Sequence, residues 1–410
     1  MRKTGKWLRT MLLATSVTGV TVGAAHAGGF GLDEQGAAAM GRANAFAAQA
    51  DDPTALFYNP AGIGQLHGTQ LSLGVTLIKP STTFESASSN ISTDTTAALF
   101  FPPTLYLSHE LSPEIHLGLG VFTPFGLSTE WPGTWEGRYL TTFSEINTYY
   151  INPNIAWSPN PRLHLAAGIS SVPSSVTLRN KLELTPMPDG DAEIKADGTG
   201  WGYNASVLAL LPGRSSMGVS FRSAVSVDYN GDAQFIAIGL SDKVQSSLTL
   251  PPMLTIAFAN HPSESFTVEA DLQWVGWSSV DKITIDFIDP AFPLPDVETP
   301  KNWRNTYSLR LGTERTGNRL TTRAGYAYDM TPIPNETLDP SLPDSDKHTF
   351  SAGLGYQAGN ATVDFAYMFV VPRDRTANNS LPTGPTTFFD HRGKYSAKIH
   401  EVGIGIVYRF

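Results

Sequence analysis

The sequence of 410 residues contains no cysteine and no excess of basic charge. Without cysteine there is no disulfide framework, which suits a chain that crosses an oxidising compartment before it folds. The formal net charge is −9 and lysine and arginine form no run, so nucleic acid is not an expected partner. Polar residues interrupt every apolar stretch after the first 27 residues, whereas a transmembrane helix needs about 20 apolar residues.

Catalytic motifs are absent as well. The sequence has no G-x-S-x-G, no H-E-x-x-H and no phosphate-binding loop, and its nine histidines show no metal-ligand spacing. A lipase in the outer membrane would need a Ser–His pair on its outer face, but His116 and His164 fall on predicted inner faces. We therefore predict no enzymatic activity, no cofactor and no metal site.

The first 27 residues form a leader in three parts. Residues 2–9 contain four basic side chains, residues 11–23 are uncharged and mostly apolar, and Ala25 and Ala27 flank His26. This order is typical of a secretory signal peptide. The apolar run is too short for a membrane anchor, because crossing about 30 Å of hydrocarbon takes about 20 residues. We predict a signal peptide over residues 1–27 and a mature chain that begins at Gly28.

The C-terminal residues show the clearest strand pattern. Val402, Ile404, Ile406, Tyr408 and Phe410 fall on one face, and the residues between them are mostly small or polar. A period of two with an aromatic last residue is typical of a strand in a bacterial outer-membrane barrel. The same alternation predicts fourteen strands, at residues 69–80, 96–109, 115–123, 147–157, 162–174, 199–211, 215–228, 244–260, 265–277, 303–314, 319–329, 347–357, 361–371 and 396–410.

The connections between these strands alternate between short and long without exception. Outer-membrane barrels have short periplasmic turns and long extracellular loops, and an even strand number leaves both termini in the periplasm. Aromatic residues near predicted strand ends, such as Trp157, Trp277 and Tyr408, suit the interfacial girdles. The pattern predicts an all-β membrane protein of the bacterial outer membrane, with a 14-stranded antiparallel transmembrane β-barrel over residues 69–410.

The segment before the barrel, residues 28–68, is not strand-like and is rich in alanine and glycine. It could hang free in the periplasm or fold into the lumen. Its small and apolar residues favour packing, because a free tail would carry more charge. We predict that this N-terminal segment forms a hatch, or plug, inside the barrel.

Several short motifs follow one another along the chain, at residues 29–31, 41–43, 51–53, 58–61, 123–127, 135–139, 274–278, 302–307 and 342–346. Taken together and in this order, they resemble the FadL-type outer-membrane transporters of long-chain fatty acids, whose relatives carry toluene and similar hydrocarbons. The resemblance covers essentially the whole mature chain. It implies a fourteen-stranded barrel closed by an N-terminal hatch. It also implies that substrate is caught in an apolar groove among extracellular loops, moves to a deeper pocket and leaves sideways through a kink in the third strand.

Candidate residues for the lateral opening fall into two groups. The resemblance implies that Asn59, Pro60 and Ala61 of the hatch face the kink, although the same residues also suit a plain turn into the first strand. Phe122, Pro124 and Gly126 are the candidate kink, because proline and glycine interrupt a strand ladder. The alternative is that the third strand simply ends there.

Candidate substrate-binding residues lie in the loop that follows. Its apolar groups suggest a groove for substrate, or they brace a long loop. These residues are Phe125, Leu127, Trp131, Trp135, Arg138 and Tyr139. A carboxylate substrate would favour a cationic partner, and the candidates are Arg138, Arg222, Arg310 and Arg323. Lumen salt bridges are the alternative role for the last three.

The function predicted from these features is passive uptake of long-chain fatty acids across the outer membrane. Uptake of aromatic or alkane hydrocarbons by the same route is the first alternative. A surface structural or adhesive barrel and a general porin are others, but a plug counts against both. The expected partners are hydrophobic small molecules and outer-membrane lipid, and the resemblance implies a monomer. The sequence does not distinguish a fatty acid from a hydrocarbon.

Overall fold

The computed structural model describes residues 28–96, 99–383 and 388–410. The signal peptide predicted for residues 1–27 lies outside the described residues. Within the described part of the chain, no helix is long and apolar enough to cross a membrane.

Long antiparallel strands form the wall of the molecule. Each pairs with its neighbour along the chain, and the last pairs with the first from Gln70↔Arg409 to Ser86↔Gly393. The ring therefore closes with fourteen strands, which confirms the predicted barrel. In chain order they are β1 (Thr69–Ser86), β2 (Pro103–Ser112), β3 (Ile115–Phe122), β4 (Tyr150–Asn160), β5 (Leu163–Leu182), β6 (Gly190–Leu211), β7 (Ser215–Arg222), β8 (Met253–Ser263), β9 (Phe266–Val275), β10 (Thr306–Thr316), β11 (Leu320–Asp329), β12 (Lys347–Ala358), β13 (Ala361–Pro372) and β14 (Phe388–Arg409).

The two faces of the wall differ as the alternating sequence predicts. On β10, Leu309 and Leu311 are exposed on the outside, whereas Arg310 between them is buried in the lumen. On β9, Leu272 is exposed while Glu269 and Asp271 are buried. An apolar outer band and a polar interior are what a strand needs when one face meets lipid and the other does not.

The strand boundaries predicted from the sequence are wrong mainly in the part of the barrel that extends beyond the membrane on the extracellular side. A strand that crosses a bilayer needs about 9–11 residues, but β5 and β6 have 20 and 22 residues and continue as a hairpin. Other segments predicted as loops also pair. The reason is that these extensions alternate in the reverse sense to the membrane region: apolar residues such as Ala192, Phe235 and Val244 are buried and the residues between them are polar, so a search for apolar outer faces misses them. The additional strands are Ser92–Asp94, Gly126–Glu130, Phe143–Thr148, Val225–Phe235, Leu240–Leu250, Lys282–Phe287, Val297–Pro300 and Arg375–Pro382.

The N-terminal segment lies inside the ring. Its regular elements are α1 (Ala37–Met40), α2 (Ala55–Tyr58) and a 3₁₀ turn over Pro60–Gln65. The backbone of this segment bonds to side chains on separate parts of the wall, including Tyr106 on β2 and Ser206 on β6. Contacts on several sides of a closed ring place the segment in the lumen.

Two carboxylates on β9 hold the middle of the N-terminal segment. Asp271 accepts backbone N–H groups of Phe46 and Ala47, at 3.1 and 3.2 Å. Glu269 accepts those of Ala48 and Gln49, the first at 2.6 Å. Four buried backbone N–H groups that would otherwise be unpaired find acceptors here, so β9 anchors a segment that has little regular structure of its own.

Glycines on the wall let the N-terminal segment approach closely. A Cβ at Gly325 on β11 would overlap the backbone of Arg42 and Ala43. By contrast, a Cβ at Gly405 on β14 would reach Ala37 only at an ordinary 3.4 Å. Both glycines face the segment, so they make a matched pair for a test of how tightly it is seated.

We predict that Gly325→Ala displaces the N-terminal segment and Gly405→Ala does not. Overpacking of this kind costs about 1–3 kcal/mol, and a displaced segment would open the lumen to ions. The measurement is single-channel conductance in planar bilayers, with Gly405→Ala as the control. Equal conductance of the two variants would show that the segment is not packed against β11.

Candidate functional site

The third strand breaks where the sequence predicts an interruption. The ladder between β2 and β3 runs up to Leu105↔Val121 and β3 ends at Phe122. Residues 123–125 belong to no strand, and pairing resumes in Gly126–Glu130, which bonds to Phe143–Thr148 instead of β2. Pro124 contributes to the break because it has no N–H to donate. The backbone groups of residues 123–126 therefore lie beyond the ladder with β2 and need hydrogen-bond partners from another part of the chain.

The N-terminal segment supplies that pairing. Gly31 and Phe125 form an antiparallel bridge, with bonds from Leu32 N to Pro124 O at 2.8 Å and from Gly126 N to Phe30 O at 2.9 Å. These three residues, 30–32, act as a short strand along the broken edge. At the depth of a membrane an unpaired backbone group is expensive, so this contact seals the wall.

Gln35 completes the seal with its side chain. Its amide nitrogen donates to the carbonyl of Thr123 at 2.7 Å, and its amide oxygen accepts the Thr123 N–H at 3.1 Å. An amide side chain with one donor and one acceptor reproduces the pairing of a backbone unit. Residues 30–35 thus satisfy the break from Thr123 to Gly126.

Aromatic side chains line the inner side of the break. The ring of Phe30 lies 4.7 Å from Trp277, 5.6 Å from Trp303 and 5.9 Å from Phe125. Trp277 is fully buried, so its predicted place in the interfacial girdle is wrong, whereas Trp157 and Tyr408 are exposed. The sequence shows an aromatic residue near a strand end in all these positions, and only the fold reveals that Trp277 is buried.

A second aromatic group lies below the first. Phe122 stacks between Tyr106 and Tyr150, with ring centroids at 5.9 and 5.8 Å. Phe57 of α2 meets Phe122 edge-on at 5.4 Å. The last residue of β3 is therefore packed against both the wall and the N-terminal segment.

The candidate residues Asn59, Pro60 and Ala61 begin the 3₁₀ turn and lie against β6. The amide of Asn59 donates to the carbonyls of Ala47 and Val207, at 2.7 and 3.1 Å. The N–H of Ala61 donates to the Ser206 hydroxyl at 2.9 Å. Residues 30–35 and Phe57 therefore contact the break, whereas Asn59 and Ala61 contact β6. The sequence suggested no separate role for Phe30 or Gln35.

The loop candidates form a buried layer above the break. Trp131 and Trp135 are stacked at 4.6 Å, and their indole N–H groups donate to the carbonyls of Pro340 and Thr141, at 2.9 and 2.8 Å. Both rings are almost completely buried, so they brace the loops. Phe125 and Leu127 are also buried, and Leu127 lines a cavity of about 70 Å³ beside Phe100.

Arg138 and Tyr139 lie farther out, in the extracellular loops. Arg138 donates to Asp189 at 2.6 Å, and the Tyr139 hydroxyl donates to the same carboxylate at 2.8 Å. The Arg138 guanidinium and the Tyr139 phenol hold the pKa of the Asp189 carboxyl below its usual range. The charge of Arg138 is therefore already matched within the loops.

The remaining arginine candidates differ in their partners. Arg310 forms an ion pair with Asp33 at 2.6 Å. Arg323 forms ion pairs with Glu314 and Asp364, both at 2.6 Å. These are the lumen salt bridges that the sequence left as an alternative. Within the described ranges, Arg222 on β7 has no carboxylate within ion-pair distance.

Comparison with known proteins places this geometry in a family. The family model described as outer membrane protein transport protein (OMPP1/FadL/TodX) matches residues 18–410. The chain is 28% identical to a Neisseria meningitidis chain described as an outer membrane protein, with 98% of each chain covered. It is 24% identical to a long-chain fatty acid transport protein of Escherichia coli, with 81% of this chain and 84% of the other covered.

Solved structures show the same fold. A Pseudomonas aeruginosa FadL homologue matches with a TM-score of 0.83 at 20% identity, covering 93% of this chain and 100% of the other. The Ralstonia pickettii toluene transporter TbuX matches with a TM-score of 0.74 at 18% identity, with the same coverage. The chain belongs to the FadL/TodX family of outer-membrane transport proteins, which carry hydrophobic compounds and are not enzymes.

Proposed function

We propose that this protein is a monomer that carries long-chain fatty acids passively across the outer membrane. Substrate leaves sideways, through the break after β3, when residues 30–35 move out of it. The observation that carries the proposal is the pairing across the break, in which the Leu32 N–H donates to Pro124 O at 2.8 Å and the Gly126 N–H donates to Phe30 O at 2.9 Å. A seal made by a separate segment can open without unfolding a strand of the barrel.

The energetics favour a sideways route. Each CH₂ group moved from water into an apolar surrounding contributes about 0.8 kcal/mol, so an alkyl chain is stabilised by a path that stays apolar and ends in lipid. The lumen below is filled by the N-terminal segment and by buried charges such as Glu269, Asp271 and Arg310. A straight descent through it would expose an alkyl chain to these polar groups.

A small cavity in the loops above the break lies on the same proposed route of the substrate. The cavity beside Leu127 lies between Gly126–Glu130 and Thr96 and Phe100, where the wall is thinly paired. Its volume of about 70 Å³ is far below the roughly 300–1,000 Å³ of ordinary ligand pockets. Passage of an alkyl chain therefore requires that residues 30–35 or the loop aromatics move apart. We propose that Phe125, Leu127, Trp131, Trp135, Arg138 and Tyr139 border this path, and that Asn59, Pro60 and Ala61 belong, with Phe122, Pro124 and Gly126, to the lateral opening.

Aromatic or alkane hydrocarbons are the second candidate substrate. The rings of Phe30, Phe125, Trp277 and Trp303 meet within 6 Å and form an aromatic lining that would accept a flat, uncharged molecule. The name of the Ralstonia relative points to the same class of substrate.

Binding separates the two candidates. We expect oleate to quench the tryptophan fluorescence of the purified protein in detergent, because Trp277 and Trp303 lie beside the break. Toluene should bind more weakly, because it buries less apolar surface. Binding of toluene without oleate would replace the fatty acid by a hydrocarbon, and binding of neither would end the transport assignment.

Locking the seal should stop uptake. The sequence has no cysteine, and bridged residues of antiparallel strands lie roughly 4.5–5.5 Å apart at Cα, within the range of a disulfide. We predict that cells carrying Gly31→Cys with Phe125→Cys take up oleate only under reducing conditions, measured with radiolabelled oleate. The reduced double variant controls for loss of the Phe125 ring.

A matched wall pair controls for oxidation itself. Leu354 on β12 and Phe365 on β13 face each other on the outer surface of the wall, on strands that do not border the break. Leu354→Cys with Phe365→Cys should permit uptake in both redox states. Uptake through the oxidised Gly31–Phe125 pair would contradict release through the break.

A further inference from the structure

Three basic residues form a row on the outer face of the barrel. Lys79 lies on β1, Lys398 lies on β14 and Arg373 follows the last residue of β13, and all three side chains are exposed. Side chains on a strand alternate between its two faces. Each of the three is an even number of positions away from an exposed, lipid-facing residue of its strand, namely Leu73, Ile404 and Phe365. This basic row, Lys79, Lys398 and Arg373, therefore points away from the lumen.

The strand register brings the basic row together. Lys79 pairs with His400 across β1 and β14, and Lys398 is the next outward residue of β14. Diagonal neighbours of this kind lie about 7–8 Å apart. Phe369 pairs with His400 from the other side, and Arg373 is two outward positions beyond Phe369. Because lysine and arginine have long side chains, three charged groups on adjoining strands can reach the same anion.

The basic row lies at the level of the lipid head groups. A transmembrane strand takes about 9–11 residues, and counted from the periplasmic ends of β1, β13 and β14 the longer of these lengths ends at about residues 79, 371 and 400. Aromatic side chains mark the same interface, because His400 stacks on Phe369 with ring centroids 5.1 Å apart. The basic row therefore begins at the outer limit of the hydrocarbon and continues just beyond it.

The charge of the basic row is left unmatched by the protein. Within the described residues, Lys79 and Lys398 have no carboxylate at ion-pair distance, and Arg373 reaches Asp346 only at 3.9 Å. Exposed cations in the loops farther out are paired at 2.6–2.7 Å, namely Arg179 with Glu193, Lys243 with Asp232 and Lys282 with Glu298. Positive charge that stays free at the head-group level attracts an anionic lipid.

A groove beside Arg373 offers room for a head group. Its volume is about 400 Å³, and its charged lining consists of Arg304, Arg373, Arg375, Glu336, Asp346 and Asp374. Asp374 is already paired with Lys394, at 2.7 Å. Arginine groups suit a phosphate, whereas carboxylates accept hydrogen bonds from hydroxyl groups. A lining of both kinds fits a head group that carries phosphate on a sugar.

We propose that the basic row binds a phosphorylated glycolipid of the outer leaflet. The phosphate accepts hydrogen bonds from Lys79, Lys398 and Arg373, the sugar hydroxyls donate to carboxylates of the groove, and the acyl chains pack on the exposed apolar residues below. The site lies on β13, β14 and β1, and β2 separates it from the break after β3. The inference goes beyond the proposed function and does not depend on which substrate is carried.

The test measures binding of lipid A, an acylated disaccharide that carries phosphates, to the purified protein in detergent by native mass spectrometry. We expect the triple variant Lys79→Gln, Lys398→Gln and Arg373→Gln to bind lipid A about tenfold or more weakly, because three charges near the membrane surface are lost. Lipid A from which the phosphates have been removed should bind the wild type and this variant equally weakly. Added salt should weaken binding of lipid A to the wild type.

A second triple variant is the matched control. Arg179→Gln, Lys243→Gln and Lys282→Gln removes the same total charge from exposed positions, but each of these residues is paired with a carboxylate. This variant should bind lipid A as the wild type does, and Lys79→Arg with Lys398→Arg should also keep the affinity. The far-ultraviolet circular dichroism of each variant shows whether the barrel is folded.

Several results would overturn the inference. An unchanged affinity in the first triple variant, an equal loss in both, or wild-type binding that salt does not weaken would each show that the basic row does not hold the lipid. Displacement of lipid A by millimolar inorganic phosphate would indicate a site for free anions instead. A wild-type protein that binds lipid A through the basic row but does not bind oleate would leave this inference standing and end the fatty acid proposal.

Discussion

The structure depends on the need to pair every backbone group at the depth of a membrane. The barrel meets this need by closing β14 on β1, but its ladder is interrupted from Thr123 to Gly126 after β3. Residues 30–35 pair with this break, through the Leu32 N–H, the Phe30 carbonyl and the amide of Gln35. The break in the wall and the segment that pairs with it therefore come from two distant parts of the chain.

The remaining contacts of the N-terminal segment explain how it can be held without being rigid throughout. Its middle is anchored by the carboxylates of Glu269 and Asp271 and by close packing at Gly325. Its beginning pairs with the break through short bonds of Phe30 and Leu32, at 2.9 and 2.8 Å, whereas α2 packs on Phe122 through Phe57 and accepts only long hydrogen bonds from Arg222. The hydrogen bonds of α2 to the wall are therefore weaker than those of the residues before and after α1.

Most of the barrel could be predicted because lipid imposes a period of two, as at Leu309, Arg310 and Leu311. The interruption near Pro124 could be predicted from local chemistry. The extended β5–β6 hairpin could not, because its apolar residues above the membrane, such as Ala192 and Ile194, pack in a buried cluster and leave the other face polar, the reverse of the lipid-facing pattern. The inward position of Trp277 and the pairing of Gly31 with Phe125 also could not be predicted, because they are set by contacts between residues far apart in the chain.

Release through the break requires that substrate open the contact between residues 30–32 and residues 124–126. Hydrogen exchange measured by mass spectrometry, in lipid nanodiscs with and without oleate, tests this opening. We expect the amides of Leu32 and Gly126, both bonded across the break, to exchange faster when oleate is bound, and those of the β1–β14 ladder to stay unchanged. Unchanged or slower exchange of Leu32 and Gly126 in saturating oleate would contradict it.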